Sequence, residues 1–208
     1  MSLYHRGQRG FTLVEMAIVL VIIGIILAAV LKGGELIGNA KIKRFYNEQR
    51  EIFAALYTYY DKYGYFPGDD PAASGRWPGV TVTNGNGNGL IAVGAASTAP
   101  NFACSGTGTE QCDLWQELRA ADILTGSGFT NPTHPYGGAI AVSYYTMPAI
   151  AGGTALTANW IHFQNVPYDV CQAIDRLYDD GNAGKGAIRG TADYMAATNG
   201  VYQLSFKF

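Results

Sequence analysis

The chain has 208 residues and a formal net charge of −2, so its bulk charge shows no basic nucleic-acid footprint, although a local basic patch is still permitted. Its length is sufficient for one domain with a sizeable core, or for a membrane segment followed by one domain. Only 14% of the residues are charged and 27 are glycine, which favours long polar loops over a compact helical bundle.

The first ten residues are polar and basic, and a long apolar run follows them. Arg6 and Arg9 precede the 21 residues from Phe11 to Leu31, which span about 31 Å as a helix, close to the thickness of a bilayer core. Positive charge ahead of such a segment predicts a single pass with a cytoplasmic amino terminus. The run is longer than the apolar region of an ordinary cleaved secretory signal and still reads as helix beyond Ala28 and Ala29.

One carboxylate, Glu15, lies near the start of this apolar run. A charge at the centre of a membrane helix costs about 2.5–3.5 kcal/mol, so its presence needs a reason. Helical periodicity places Glu15 one turn after Phe11. Cleavage between Gly10 and Phe11 would create an amine near the start of the helix, where an acid also suits the positive end of the helix dipole.

The stretch RGFTLVEMAIVLVIIGIIL resembles the leader and first helix of type IV pilins and type II secretion pseudopilins. The resemblance implies cleavage after Gly10 by a prepilin peptidase, N-methylation of Phe11 and assembly into a filament. In that filament Glu15 would pair with the Phe11 amine of another subunit. Gly24 also fits the family pattern. Lys32 stands where many pilins carry a kinking proline, and Gly33 and Gly34 after it could supply flexibility instead.

The resemblance also implies partners and a location. The partners would be identical or related pilin subunits, the prepilin peptidase and the inner-membrane assembly machinery. The subunit would first lie in the inner membrane and then in a pilus or a periplasmic pseudopilus. The residues themselves add that this is a single-pass segment with no clear nucleic-acid signal.

Helical periodicity continues after the apolar run, so we predict one helix over 11–63, with a transmembrane part at 11–31 and an amphipathic part at 32–63. Gly64 and Pro67 provide the stop. The predicted apolar stripe comprises Ile42, Phe45, Tyr46, Gln49, Ile52, Phe53, Leu56, Tyr59, Tyr60 and Tyr63.

Residues 64–208 are predicted to form a periplasmic or extracellular globular domain, after a leader at 1–10. A long loop at 66–100 precedes a short helix at Thr109–Leu124, and a further helix starts at Pro167 with Val170, Cys171, Ile174 and Leu177 on its apolar face. Predicted strands lie in GAIAVSYYTM, NWIHFQNV, KGAIRGTA and VYQLSFKF. The predicted fold is α+β and pilin-like: a long N-terminal helix packed on a C-terminal antiparallel sheet, with long loops and one or two short helices.

The three cysteines do not form a CxxC pair, and a zinc site is not predicted. Cys104 and Cys112 bracket a short flexible segment and could form a disulfide in an oxidising compartment. A Cys112–Cys171 bond is equally permitted by the sequence.

No cofactor is expected, although the loop NGNGNGLI offers a weak calcium candidate. Asn84, Asn86 and Asn88 match the early spacing of an EF-hand loop, but the late acid is replaced by Ala95 and no loop ligand is charged. A run of glycine turns is the competing interpretation. Asp179 and Asp180 form a second candidate, against a simple role in ending a helix.

The resemblance therefore predicts a structural subunit of a type IV pilus or pseudopilus. We predict that it is not an enzyme, because no arrangement of Ser, His, Asp or Cys indicates a nucleophile. The long loops favour a larger or minor subunit. The alternative is a signal-anchored periplasmic binding protein or enzyme that does not polymerise.

Overall fold

The computed structural model describes residues 10–92, 94–194 and 200–208, so Arg6, Arg9 and the rest of the leader before Gly10 lie outside the described residues. The chain divides into two compact units, Met1–Lys41 and Ile42–Phe208. The helices are α1 (Leu13–Tyr63), α2 (Glu110–Ala120) and α3 (Tyr168–Tyr178), and the strands are β1 (Ile140–Met147), β2 (Leu156–Pro167), β3 (Ile188–Gly190) and β4 (Val201–Lys207).

The predicted long helix is confirmed as α1, which begins two residues later than predicted, at Leu13. Its first part belongs to the first unit and is almost entirely apolar. Every described residue of that unit is exposed apart from the partly covered Gly33. The helix is therefore held there by its own backbone hydrogen bonds, with no packed core in the described residues around it.

In the second unit, α1 buries one face at helical spacing. The buried residues are Phe45, Gln49, Ile52, Ala55, Leu56 and Tyr59. Phe53 and Tyr60, which the sequence placed on the same stripe, lie on the exposed side. The helix ends where Gly64 adopts a φ of +81°, a left-handed conformation that glycine tolerates without strain, and the Gly64 N–H donates to Tyr60 O at 2.7 Å.

The sheet is antiparallel throughout, in the order β1-β2-β4-β3. Alternate side chains of its three longer strands join the buried face of α1 in one core: Ile140 and Val142, Ile161 and Phe163, Leu204 and Phe206. The Phe45 ring lies 4.6 Å from the Phe163 ring, centroid to centroid. The predicted α+β fold, with α1 on an antiparallel sheet, is thus confirmed.

The two edges of the sheet differ. Along the outer edge of β1, the Tyr144 N–H donates to Ile91 O at 2.6 Å and Tyr144 O accepts the Thr98 N–H at 2.8 Å. The Thr146 N–H donates to Ser97 Oγ at 2.8 Å. The other edge is β3, which is only three residues long. The loop before α2 therefore covers the longer edge, and the shorter edge offers little backbone.

The two short helices are confirmed with one correction. Helix α2 is shorter than predicted, and α3 begins at Tyr168, one residue after the predicted start at Pro167. Leu177, predicted on the apolar face of α3, is 67% exposed, while Asp175 is fully buried. The buried face is centred on Cys171, Ile174 and Asp175, so the last turn carries Leu177 away from the core.

Candidate processing and assembly site

Gly10, Phe11 and Thr12 lie ahead of α1, outside any helix or strand. The Phe11 side chain is 79% exposed, and no atom lies within 4 Å of the position a Gly10 Cβ would take. The Gly10–Phe11 peptide bond is therefore outside the hydrogen-bonded helix. This is the local conformation that a protease needs, since a helical peptide bond must first unwind to be cut.

The helix start is fixed by a reciprocal pair, Thr12 and Glu15. Glu15 Oε2 accepts the Thr12 N–H at 2.8 Å and the Thr12 hydroxyl at 2.7 Å. In return, the Glu15 N–H donates to Thr12 Oγ1 at 3.2 Å. This is a capping box, in which each residue satisfies a backbone donor that the first turn would leave unpaired. The carboxylate also lies at the positive end of the helix dipole.

Sequence reasoning missed Thr12. It assigned Glu15 a partner only in another subunit, whereas within the single chain the carboxylate already accepts two hydrogen bonds from Thr12. The signal was present, because T-x-x-E directly before an apolar run is a capping-box pattern. Phe11 precedes the helix, so in the described chain it is not on a helical face with Glu15.

The helix after the capping box presents a continuous apolar surface. No residue in the most apolar stretch of this helix is buried. By length and composition, α1 is the one described helix that could cross a membrane. The helix runs unbroken through Gly24, Gly33 and Gly34, where an added Cβ would meet nothing within 4 Å. Lys32 and Glu35 form an exposed ion pair at 2.8 Å, which contributes little stability.

The described amino terminus thus combines an accessible peptide bond, a capped first turn and an exposed apolar helix. Residues 5–31 match the family model for the prokaryotic N-terminal methylation motif. The chain thus carries the prepilin-type signal of type IV pilins and pseudopilins, as the sequence resemblance indicated. Neither the curated proteins nor the solved structures contain a match to the chain.

The asparagine loop of the second unit is folded around a carboxylate. Asp69 is buried and accepts backbone N–H groups from Gly87 at 2.7 Å, Asn88 at 3.1 Å and Gly89 at 2.7 Å. Gly85 must be glycine, because a Cβ there would overlap the Asp69 backbone. The loop therefore works as a nest of donors for an anion, which is the opposite polarity to a calcium loop.

The three asparagines predicted as weak calcium ligands use their side-chain oxygens on backbone groups. Asn84 Oδ1 accepts the Ser74 N–H, Asn86 Oδ1 the Asn88 N–H and Asn88 Oδ1 the Leu90 N–H, all at 2.8–3.0 Å. Asn86 and Asn88 thus form Asx-type turns, whereas Asn84 ties the loop to Ser74, ten residues earlier.

A group of buried acids continues from this loop to α1 and α2. Asp70 accepts from the Tyr59 hydroxyl at 2.9 Å and forms a two-point ion pair with Arg76. Glu117 is fully buried and accepts the Gly68 N–H at 2.8 Å, while its Oε1 has no partner among the described residues. Burial raises the pKa of Glu117 to about 8 and that of Glu110 to about 7.

Cys104 and Cys112 form a disulfide, with Cα atoms 5.3 Å apart, so the first of the two permitted pairings is the one observed. It ties the start of α2 to the preceding loop. Cys171 is buried and free, and burial raises the pKa of its thiol. A thiol in that state is a poor nucleophile.

His162 forms a polar chain across the sheet that sequence reasoning also missed. Its Nε2 lies 2.9 Å from Ser143 Oγ and its Nδ1 lies 2.8 Å from Ser205 Oγ. All three residues are fully buried, and burial lowers the pKa of His162 to about 3. The neutral imidazole joins β1, β2 and β4 at one level, which is a structural role that needs no solvent access.

Proposed function

We propose that the protein is a non-enzymatic structural subunit of a type IV pilus or a related pseudopilus. It is cleaved after Gly10, N-methylated at Phe11 and polymerised through its hydrophobic helix. The observation that carries this proposal is the exposed apolar surface of α1 directly after the methylation motif at residues 5–31. That surface requires an apolar environment, and the motif belongs to proteins that exchange a bilayer for a filament core.

Assembly, in this proposal, replaces lipid by neighbouring helices. In the membrane the apolar run is solvated by acyl chains, and the Thr12–Glu15 capping box keeps the carboxylate hydrogen-bonded near the interface. In the filament the Phe11 amine of another subunit pairs with Glu15. A buried charge without a partner costs several kcal/mol, so a subunit docked out of register is rejected.

The Thr12–Glu15 capping box is compatible with both the membrane state and the filament state of the subunit. Thr12 occupies Glu15 Oε2, and no hydrogen bond between described residues uses Oε1. An incoming ammonium group would find one oxygen free while the helix start remains fixed. The leader places the amino terminus in the cytoplasm, the prepilin peptidase and the assembly machinery lie in the inner membrane, and the second unit faces the periplasm. The long loops of that unit favour a minor subunit.

The competing function is a signal-anchored periplasmic binding protein or enzyme that does not polymerise. Under that alternative, residues 1–10 stay attached and Phe11 carries no methyl group. The two functions therefore differ at one peptide bond and one amine.

Intact mass and amino-terminal sequencing of the protein purified from its native membranes test the proposal. We expect a chain that begins at Phe11 and carries one added methyl group. A Gly10→Val variant is the matched control, since the space around Gly10 is open and the change leaves α1 intact. It should retain the leader. A native chain that begins at Met1 with an unmodified Phe11 would exclude the proposed function.

A further inference from the structure

The asparagine loop contains three consecutive Asn-Gly pairs, at 84–85, 86–87 and 88–89. Asn-Gly is the dipeptide most prone to deamidation, because glycine has no Cβ to hinder attack by its own backbone nitrogen. That nitrogen loses its proton to solvent and bonds to Cγ of the asparagine, and the side-chain nitrogen leaves as ammonia. Water then opens the succinimide ring to aspartate or isoaspartate. All three asparagines are exposed, so water reaches the loop.

The folded loop engages each of the attacking nitrogens. The Gly89 N–H donates to Asp69 Oδ2 at 2.7 Å. The Gly87 N–H donates to Asp69 Oδ1 at 2.7 Å and to Asp69 O at 3.0 Å. The Gly85 N–H donates to Asp70 O at 2.9 Å. A carboxylate against an N–H group opposes loss of its proton, because the resulting amide anion would face a second negative charge.

Two of the asparagine side chains are held at both ends of the carboxamide. Asn86 Oδ1 accepts the Asn88 N–H at 3.0 Å, and Asn86 Nδ2 donates to Glu110 Oε1 at 2.9 Å. Asn88 Oδ1 accepts the Leu90 N–H at 2.8 Å, and Asn88 Nδ2 donates to Gly94 O at 3.2 Å. Ring closure requires the carboxamide to rotate towards the next backbone nitrogen, so each of these bonds opposes the reaction.

Asp69 is the residue that connects these contacts. Its side chain is buried, and its two carboxylate oxygens are divided between Gly87 and Gly89. We propose that Asn86 and Asn88 are latent deamidation sites, and that the buried Asp69 carboxylate suppresses their reaction while the loop is folded. Local opening of the loop releases the glycine nitrogens and the carboxamides together, so the rate of modification follows the open population.

Deamidation of this loop is a one-way change. At position 86 it would place a second carboxylate beside Glu110 Oε1, where the Asn86 amide now donates. At position 88 it would remove the donor to Gly94 O and add a charge close to Asp69. The loop therefore does not close again in its original form, and a transient opening becomes a permanent chemical mark on the second unit. This inference does not depend on the proposed assembly.

Site-resolved peptide mapping of the full-length protein in detergent tests the proposal. The unaltered chain and Asp69→Ala are incubated at pH 7.5 and 37 °C and digested at acidic pH, which limits deamidation during the digestion. Deamidation is read as the mass gained when NH₂ is replaced by OH, and fragmentation assigns it to one asparagine. We expect Asn88 to react at least about tenfold faster in Asp69→Ala, because the lost bond to a charged group shifts the opening equilibrium by at least that factor.

The other two asparagines serve as internal references. Asn86 should accelerate less than Asn88, because the backbone oxygen of residue 69 still accepts the Gly87 N–H. Asn84 should keep its rate, because its glycine donates to Asp70 O. Asp61→Ala, at an exposed position of α1, is the matched control and should leave all three rates unchanged. An unchanged rate at Asn88, or equal acceleration at all three asparagines, would overturn the proposal.

Amide hydrogen exchange of the unaltered protein provides a second measurement that does not require a variant. The Gly87 and Gly89 N–H groups should exchange at least about tenfold more slowly than in the same chain unfolded in urea, although the loop is at the surface. In urea, Asn86 and Asn88 should deamidate at least about tenfold faster than in the folded chain. Exchange or deamidation at the unfolded rate in the folded protein would overturn the proposal even if Asp69→Ala did not fold.

Discussion

The two units of the chain differ in which side chains they expose and which they bury. In the first unit the apolar side chains of α1 are exposed, and so are its acids, Glu15 and Glu35. In the second unit the apolar side chains are packed between α1 and the sheet, and acids such as Asp70 and Glu117 are fully buried. The apolar surface of the first unit is not covered by described residues of the chain. In the second unit, most apolar side chains are buried, and the buried acids find most of their hydrogen-bond partners within the unit.

This contrast separates assembly from folding. A change in the first unit should alter what the subunit joins, with little effect on how the second unit folds. A change in the second unit should alter stability, with little effect on membrane insertion.

The largest effect is expected at Glu15. Glu15→Ala should leave membrane insertion intact and abolish or sharply lower incorporation into filaments, because the amine of the neighbouring subunit loses its partner. Membrane fractionation and a filament-shearing assay measure the two properties on the same cells. Glu15→Gln is the matched variant, since glutamine still caps Thr12 but carries no charge. Normal assembly of the glutamine variant would show that capping, and not charge, is what Glu15 contributes.

The disulfide of the second unit should be the next largest contribution. Replacing Cys104 and Cys112 by serine should lower the free energy of unfolding by about 2–3 kcal/mol, as expected for closure of a short loop. Denaturant unfolding of the full chain in detergent measures it. A reducing agent should reproduce the loss in the unaltered protein and add nothing in the double variant. Membrane insertion should be unchanged, and a failure to insert would break the separation of the two units.

Because burial raises the pKa of Glu117 and of Glu110, we expect the free energy of unfolding to fall as the pH rises above about 6.5. Burial raises the folded-state pKa of Glu117 to about 8 and that of Glu110 to about 7, above the ordinary value of 4.5, so the folded chain holds protons that the unfolded chain releases. Between pH 6.5 and 8, the Glu117 proton alone corresponds to about 2 kcal/mol at most. His162, whose pKa burial lowers to about 3, acts in the opposite direction only below about pH 6.5.

Unfolding midpoints at pH 6.5 and 8.5 measure this slope. Glu117→Gln should flatten it, because the amide is neutral at both values and its oxygen can still accept the Gly68 N–H. Glu51→Gln is the control, a change of the same chemistry at an exposed position of α1 outside the buried acid group. A slope that survives Glu117→Gln in full would assign it to other residues.

The smallest effect is expected at Thr12. Thr12→Ala removes the helix cap and should cost about 1 kcal/mol at the start of α1. We expect a modest loss of assembly, smaller than for Glu15→Ala, and normal stability of the second unit. Thr12→Ser should restore assembly, since the serine hydroxyl can make the same bonds. Thr12→Ala losing as much assembly as Glu15→Ala would show that the cap itself holds the carboxylate in its working position.

The parts of this structure that sequence predicted well depend on short-range patterns. The continuous apolar run and the helical periodicity after it are local, and α1 follows from them within two residues. The C-terminal strand β4 was also predicted, from the alternation of apolar and polar residues in VYQLSFKF. Leu177 was misplaced because the choice between neighbouring faces of α3 is made by what packs against it, here with Asp175 inward.

The parts that sequence missed depend on contacts between distant residues. The Asp69 nest needs residues 87–89 to approach a carboxylate about twenty positions earlier, and no local pattern announces that approach. The strand order β1-β2-β4-β3 and the His162 chain between Ser143 and Ser205 arise only once the sheet is formed. The position of Cys112 relative to Cys104 and Cys171 was likewise a matter of tertiary geometry, which is why both pairings were open.

The covered edge of β1 has a consequence for a subunit that is proposed to be crowded among its own copies. An open strand edge presents unpaired backbone N–H and C=O groups that can pair with a strand of another chain. Here the longer edge is occupied by Ile91, Ser97 and Thr98, and the other edge is three residues long. Copies of the second unit can therefore be crowded together without pairing through their strand edges. In the proposed filament, the direction of growth is then set by contacts of the helix.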